Sequence, residues 1–311
     1  MYTTARNDTE LTRGVIERIG KSWDTRVAVR KERLDLTQYT DPTLPDFPIS
    51  MVPFWGHEEF APLDDATKMR LLATAWVGYN EKAIYLEDEI VQPLCSLLLK
   101  DRLPGAGDPR VKQVLAQVQV DEQFHILMCL DICNNARQRY RLDDYVAAEP
   151  LLGTRLKRTL ARLDDERERA IARLAYAAVA EMSINAYLNQ VANDMTIQPL
   201  NRINTDMHRK DESVHGIAFR EITASVYRAL GEEGQRSFRA HVRDALEDFT
   251  APDLTSWESI LDYIGVPGRK RILATLREQA KGKRLARDYT VLASLFEELG
   301  VTQELGFRFD H

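Results

Sequence analysis

The sequence predicts an all-α protein, and three observations predict it. Long stretches carry apolar residues at helical spacing. No segment shows the β-branched alternation that a sheet requires. The halves 66–141 and 164–229 also repeat one layout, a helix bearing a lone glutamate followed by a helix bearing Asp-Glu-x-x-His. The two copies are Asp121-Glu122-Gln123-Phe124-His125 and Asp211-Glu212-Ser213-Val214-His215, with Glu87 and Glu181 upstream of them. Two helices giving one Glu each and two giving Glu-x-x-His each is the interior of a ferritin-like four-helix bundle.

The elements follow in order. Residues 12–34 read as a charged amphipathic helix, followed by an extended segment carrying Pro42, Pro45, Pro48 and Pro53. Asp64-Asp65 cap a long helix running to about Lys100, with a kink expected at Pro93. Pro104, Gly105, Gly107 and Pro109 interrupt the chain, and Asp108-Pro109 opens a second long helix over about 109–141. A shorter connecting helix is expected over 150–163, a third core helix over about 164–196, and a fourth over about 199–229 with Pro199 at its joint. Residues 231–311 contain shorter amphipathic helices separated by Gly231, Pro252, Gly265-Val266-Pro267-Gly268 and Gly282. The expectation is a single domain over 1–311, with a core bundle at about 64–230 and a helical extension at about 231–311.

Composition narrows the function. A length of 311 residues, 44% hydrophobic and 29% charged, is ordinary for a globular protein with a sizeable core. A net charge of −6 argues against nucleic acid as the main partner. Cys95, Cys129 and Cys133 sit in apolar surroundings and read as core residues of a reducing compartment, not as ligands. The polar N-terminus lacks a signal region, and no apolar run is long enough to span a membrane, so a cytoplasmic protein is expected.

Two Glu-x-x-His pairs are only mildly unusual in a chain with 6 His, but an Asp in front of both is improbable. At about 100° per residue, positions i and i+3 share a face, so Glu122 and His125 are able to bind one metal together. His208, Glu212 and His215 lie on one stripe of one helix. Glu87 falls on the stripe Leu72, Trp76, Tyr79, Ala83, Ile90, Leu94, and Glu181 on Leu174, Ala177, Ala178, Ile184, Leu188. A glutamate on such a face is costly unless paired or bound to metal. Carboxylates and imidazoles without thiolate suit two irons, or manganese, rather than zinc. Asp121 and Asp211 fit an outer role, each accepting a ligand imidazole N–H. The basic set needs four Glu and two His, which leaves His208 either a seventh donor or a core histidine.

The sequence resembles the di-iron N-oxygenase family typified by the p-aminobenzoate (arylamine) N-oxygenase of aureothin biosynthesis. The resembling stretches are Val52-Pro53-Phe54 with His57, Val77-Gly78-Tyr79-Asn80-Glu81, Val120-Asp121-Glu122 with Phe124-His125, and Ala178-Val179-Ala180-Glu181 with Ile184-Asn185-Ala186. Further on come Asp194 with Thr196-Ile197-Gln198-Pro199, His208-Arg209 with Asp211-Glu212 and His215-Gly216, and Arg284-Leu285 with Arg287-Asp288. They span roughly residues 50–290. The resemblance implies seven ligands, Glu87, Glu122, His125, Glu181, His208, Glu212 and His215, of which Glu87, Glu122, Glu181, His208 and Glu212 carry the catalysis. It implies O2 as cosubstrate and a small-molecule primary amine oxidised through hydroxylamine towards nitroso and nitro, in secondary metabolism such as antibiotic biosynthesis. It also implies a homodimer. The chain has no flavin or nicotinamide fingerprint, so electrons are expected from a reductase or ferredoxin-like protein.

One position departs. The family pattern Tyr-Asn-Glu-Arg is Tyr79-Asn80-Glu81-Lys82 here, and lysine does not pair with a carboxylate bidentately, which bears on whether p-aminobenzoate itself is the substrate. Tyr79, Lys82 and Asn185 are candidates for lining a substrate pocket, and Arg287 for meeting an anionic substrate group. The alternative readings are an N-oxygenase of non-aromatic or carrier-bound amines, a di-iron C–H oxidase or radical generator using Tyr79 or Tyr187, and a ferritin-like iron-binding protein.

Overall fold

The computed structural model describes residues 2–31, 35–281, 288–307 and 309. Among the described residues there is no strand, so the chain is all-α as expected. The helices are α1 (Tyr2–Arg26), α2 (Asp65–Leu86), α3 (Gln92–Leu99), α4 (Pro109–Tyr140), α5 (Leu151–Ala161), α6 (Glu166–Glu181), α7 (Ile184–Ala192) and α8 (Pro199–Ala229). They continue with α9 (Glu232–Thr250), α10 (Leu254–Ile264), α11 (Arg269–Ala280), α12 (Thr290–Glu298) and α13 (Thr302–Leu305). The bundle consists of α2 with α3, then α4, then α6 with α7, then α8. In it α2 packs on α4, α7 on α8, α4 on α8, and α6 on α8. The C-terminal helices close it, α9 against α6 and α10 against α2.

Local chemistry sets the two helices that carry most of the ionisable side chains. Asp108 caps α4, its Oδ1 accepting the Arg110 N–H at 2.9 Å, and Pro109 fills the first turn. Pro199 starts α8 in the same way. Just before it, Gln198 is tied to the proline-rich segment: its backbone N–H donates to Pro45 O, and its side-chain amide donates to Asp41 O and Leu44 O. That segment folds into short 3-10 turns, Leu36–Tyr39 and Ile49–Met51, rather than extended structure.

Three helix boundaries differ from the sequence expectation. The first helix occupies Tyr2–Arg26 instead of 12–34, because Val27 is extended (φ −72°, ψ 149°) and turns the Ala28 N–H onto Asp211 Oδ2. Residues 32–34 lie outside the described residues. The helix expected from 65 to 100 is broken at Glu87–Val91 by a π-helical turn, in which the Gln92 N–H reaches Glu87 O. Pro93 has no N–H for the Glu89 carbonyl, and Arg173 Nη1 donates to that carbonyl instead at 3.2 Å. The Pro93 effect is thus felt one turn upstream. The helix expected over 164–196 is two helices. It stops at Glu181, where Ser183 turns its hydroxyl back onto Val179 O at 2.6 Å and leaves helical geometry (φ −127°, ψ −14°).

Candidate metal centre

Each half of the bundle delivers its ionisable side chains to one buried layer. Glu87 enters from the π turn, Glu122 and His125 from α4, Glu181 from the last residue of α6, and His208, Glu212 and His215 from α8. All seven are at most 5% exposed. Glu212 is their hub, with Oε1 lying 3.3 Å from His125 Nδ1, from His208 Nε2 and from His215 Nδ1. Glu87 Oε1 approaches His208 Nε2 at 3.0 Å, and Glu122 meets His215 Nδ1 at 3.0 Å and His125 Nδ1 at 3.2 Å. Glu181 stands furthest out, 3.9 Å from His215 Nδ1. A π turn at Glu87 is the kind of helix irregularity that recurs at functional sites, since it re-aims a side chain without ending the helix.

The two aspartates cross between halves. Asp121, beside Glu122 on α4, accepts from His215 Nε2 at 3.2 Å, while Asp211, beside Glu212 on α8, accepts from His125 Nε2 at 3.3 Å. Each imidazole is thereby oriented with Nδ1 towards the carboxylate layer. The aspartates are held in turn by the first helix and the residues that follow it. Trp23 Nε1 donates to both Asp121 oxygens at 2.9 and 3.1 Å, and Asp211 faces the Ala28 N–H at 3.1 Å and Arg26 Nη1 at 3.6 Å.

Burial and mutual charge set the protonation of the layer. Burial pushes the Glu87 carboxyl up, and burial reinforced by Glu212 and Glu122 pushes Glu181 well above the carboxylate range. Burial opposes charging the three imidazoles, but the carboxylates around them outweigh it and hold all three well above the usual histidine value. Glu87 Oε2, Glu181 Oε2 and Glu212 Oε2 are buried without a hydrogen-bond partner. Orphaned acceptors on this scale are uncommon in a folded interior unless a cation joins them. Two overlapping donor sets meet the need, Glu87, His125, His208 and Glu212, and Glu122, His125, Glu212 and His215, each with its atoms within 4.8 Å of one another. The group therefore fits metal ions. Cys129 lies against His208, but burial raises its thiol to about 12, in keeping with a core residue.

A cavity of about 280 Å³ opens from this layer. Its lining includes Glu87, Glu181, His208 and Glu212 of the layer together with Phe47, Tyr79, Tyr187 and Trp257. Tyr79 is stacked between Trp76 and Tyr187, at centroid separations of 5.6 and 5.7 Å. Of the expected pocket residues, Tyr79 and Lys82 line the cavity. Asn185 does not: it faces α8, its Oδ1 accepting from Ser213 Oγ at 3.5 Å, because the break at Ser183 restarts the helix on a new heading. Arg287 lies outside the described residues, as do Arg284 and Leu285.

The chain matches the family described as P-aminobenzoate N-oxygenase AurF over residues 10–300. It is 34% identical over 296 residues to the 4-aminobenzoate N-oxygenase of Streptomyces thioluteus, covering 94% of this chain and 88% of that protein. The chain belongs to the p-aminobenzoate N-oxygenase family. It is an oxygenase, and the buried Glu/His layer is where such an enzyme is able to hold metal. Among the described residues no helix is long and apolar enough to cross a membrane.

Several residues of this N-oxygenase's site escaped the sequence reading. Trp23, Arg26 and the Ala28 N–H carry no motif and reach the site only through the docking of α1 and the turn after it. Asp248, Phe249, Asp253 and Trp257 come from the segment expected to be an extension, yet they form a cavity wall. The available signal was the apolar face of 232–250, which needed a partner and found α6.

Proposed function

We propose that this chain is an O2-dependent non-haem di-iron monooxygenase that oxidises a primary arylamine at nitrogen, through hydroxylamine towards nitroso and nitro. The observation that carries the reading is the junction of the seven-residue Glu/His layer with an aromatic-lined cavity. Glu87, Glu122, His125, Glu181, His208, Glu212 and His215 would hold the two irons, with manganese as the other ion that this donor set suits. When bound, two irons supply the two-electron reduction of O2 beside the amine.

The chain's own residues do the rest. Asp121 and Asp211 fix the tautomers of His215 and His125, each accepting a hydrogen bond from Nε2–H, so that the proton stays on Nε2 and Nδ1 is left to ligate. Tyr79, Tyr187 and Trp257 receive the aryl ring and exclude water. Glu87, Glu181, His208 and Glu212 line the cavity, so an amine held in it presents its nitrogen to the centre. Electrons come from a separate reductase or ferredoxin-like protein. The protein works in the cytoplasm as a homodimer, with neither nucleic acid nor membrane as a partner.

The test is aerobic turnover of Fe(II)-loaded protein with a chemical or ferredoxin-type reductant and 4-aminobenzoate or a neutral arylamine. Hydroxylamine, nitroso or nitro products carrying oxygen from labelled O2 are expected, together with two irons per chain by metal analysis. Ring hydroxylation, or O2 consumption without any N-oxygenated product, would sink the proposal.

A further inference from the structure

The cavity lining also carries a charge pair, Lys82 and Asp253. Lys82 lies on α2, Glu87 follows in the π turn, and both line the cavity. Lys82 Nζ lies 3.6 Å from Asp253 Oδ2. The Asp253 side chain is only 9% exposed and is fixed from two helix starts. Oδ2 accepts the Leu151 N–H at the beginning of α5, and Oδ1 accepts the Thr255 N–H in the first turn of α10, each at 3.1 Å. Asp248, also in the lining, pairs with Arg155 Nη1 at 2.7 Å and the Tyr176 hydroxyl at 2.6 Å, away from Lys82. Asp253 is the carboxylate that lies beside the Lys82 ammonium.

We propose that Asp253 is a specificity-determining residue, and that with Lys82 it selects an arylamine whose para substituent is an uncharged donor–acceptor group of the carboxamide class rather than a free carboxylate. The proposal rests on the arylamine reading of the centre. A substrate carboxylate on Lys82 would come to lie beside the Asp253 carboxylate inside an aromatic-lined cavity, and like charges so placed repel strongly. A carboxamide meets both partners: its carbonyl accepts from the Lys82 ammonium and its N–H donates to Asp253. Lysine supplies a point charge rather than the planar fork that grips a carboxylate, which favours the same choice.

The experiment compares equilibrium binding of 4-aminobenzamide and 4-aminobenzoate to the Fe(II)-loaded protein under anaerobic conditions, for the wild type and Asp253→Asn. The wild type is expected to bind the amide at least about tenfold more tightly. Asp253→Asn is expected to move the ratio at least about tenfold towards the carboxylate, while keeping the α10 cap that asparagine also provides. A merely structural role for Asp253 would weaken both ligands alike and leave the ratio unchanged, which overturns the proposal. So does a wild type that binds the carboxylate as tightly as the amide, a result obtained without any variant. Admitting O2 separates the two ideas. An amide bound selectively but never oxidised at nitrogen refutes the N-oxygenase reading and leaves the selectivity standing. Preferential binding and N-oxidation of the carboxylate does the reverse.

Discussion

Glu212 touches every histidine of the layer, so its loss should be felt by the whole centre. Glu212→Ala is expected to reduce bound iron below two per chain and abolish N-oxidation, with helicity unchanged by circular dichroism. Trp23 lies further out and reaches the layer through Asp121. Trp23→Phe keeps the packing and removes the donor, and should weaken metal binding about 10–100-fold. An unchanged affinity would show that Asp121 needs no support from the first helix. The three imidazoles bind protons well above the usual histidine range, and a metal must displace those protons. Fe(II) loading in weak buffer should therefore release protons, detectable with an indicator dye, and affinity should fall as pH falls. Pairs close in sequence, such as Glu122 with His125, were legible because i and i+3 share a helix face. The Trp23–Asp121 bond joins residues 98 apart, and no local pattern encodes it.

At the scale of the element, α4 and α8 were readable because their punctuation is local. Asp108-Pro109 and Gln198-Pro199 mark their starts. The break between α6 and α7 was not, since Leu174 to Leu188 keeps a helical apolar rhythm and only Ser183 interrupts it. What makes the break useful is proximity. A Cβ on Gly216 of α8 would sit 3.1 Å from Glu181 O, so α8 passes the end of α6 with no room to spare. Gly216→Ala should push the two apart, cost about 1–3 kcal/mol, and lower iron content by displacing Glu181. An unaltered iron stoichiometry would count against this account. The α4 cap makes a cleaner stability test. Asp108→Ala should cost about 1 kcal/mol in thermal or urea unfolding. Arg110 holds the Asp108 carboxyl down at about 2, so the cap's contribution is complete above the unfolded value near 4 and fades as pH drops towards 2. Wild type and variant should converge over that window.

At the scale of the molecule, the division into core bundle and extension does not describe how the cavity is made. Helix α9 covers α6, and α10 lies on α2 with Asp253 and Trp257 in the cavity wall. A chain ending at residue 230 is expected to expose the apolar faces of α2 and α6 and to aggregate or bind a hydrophobic dye. A soluble truncated protein that retains two irons would show that the metal layer stands without its C-terminal cover. The sequence could not announce this arrangement, because amphipathic helices such as α9 declare that they need a partner without saying which one.

The crossed aspartates also fix an order of events during synthesis. A chain made from its N-terminus presents His125 86 residues before Asp211, and Ala28 183 residues before that same carboxylate. Until α8 has left the ribosome, His125 of the first half is without the Asp211 carboxylate that orients it. Metal loading is then expected only after translation, in the completed chain, and a nascent protein stalled before residue 211 should bind no iron in a pull-down with Fe(II).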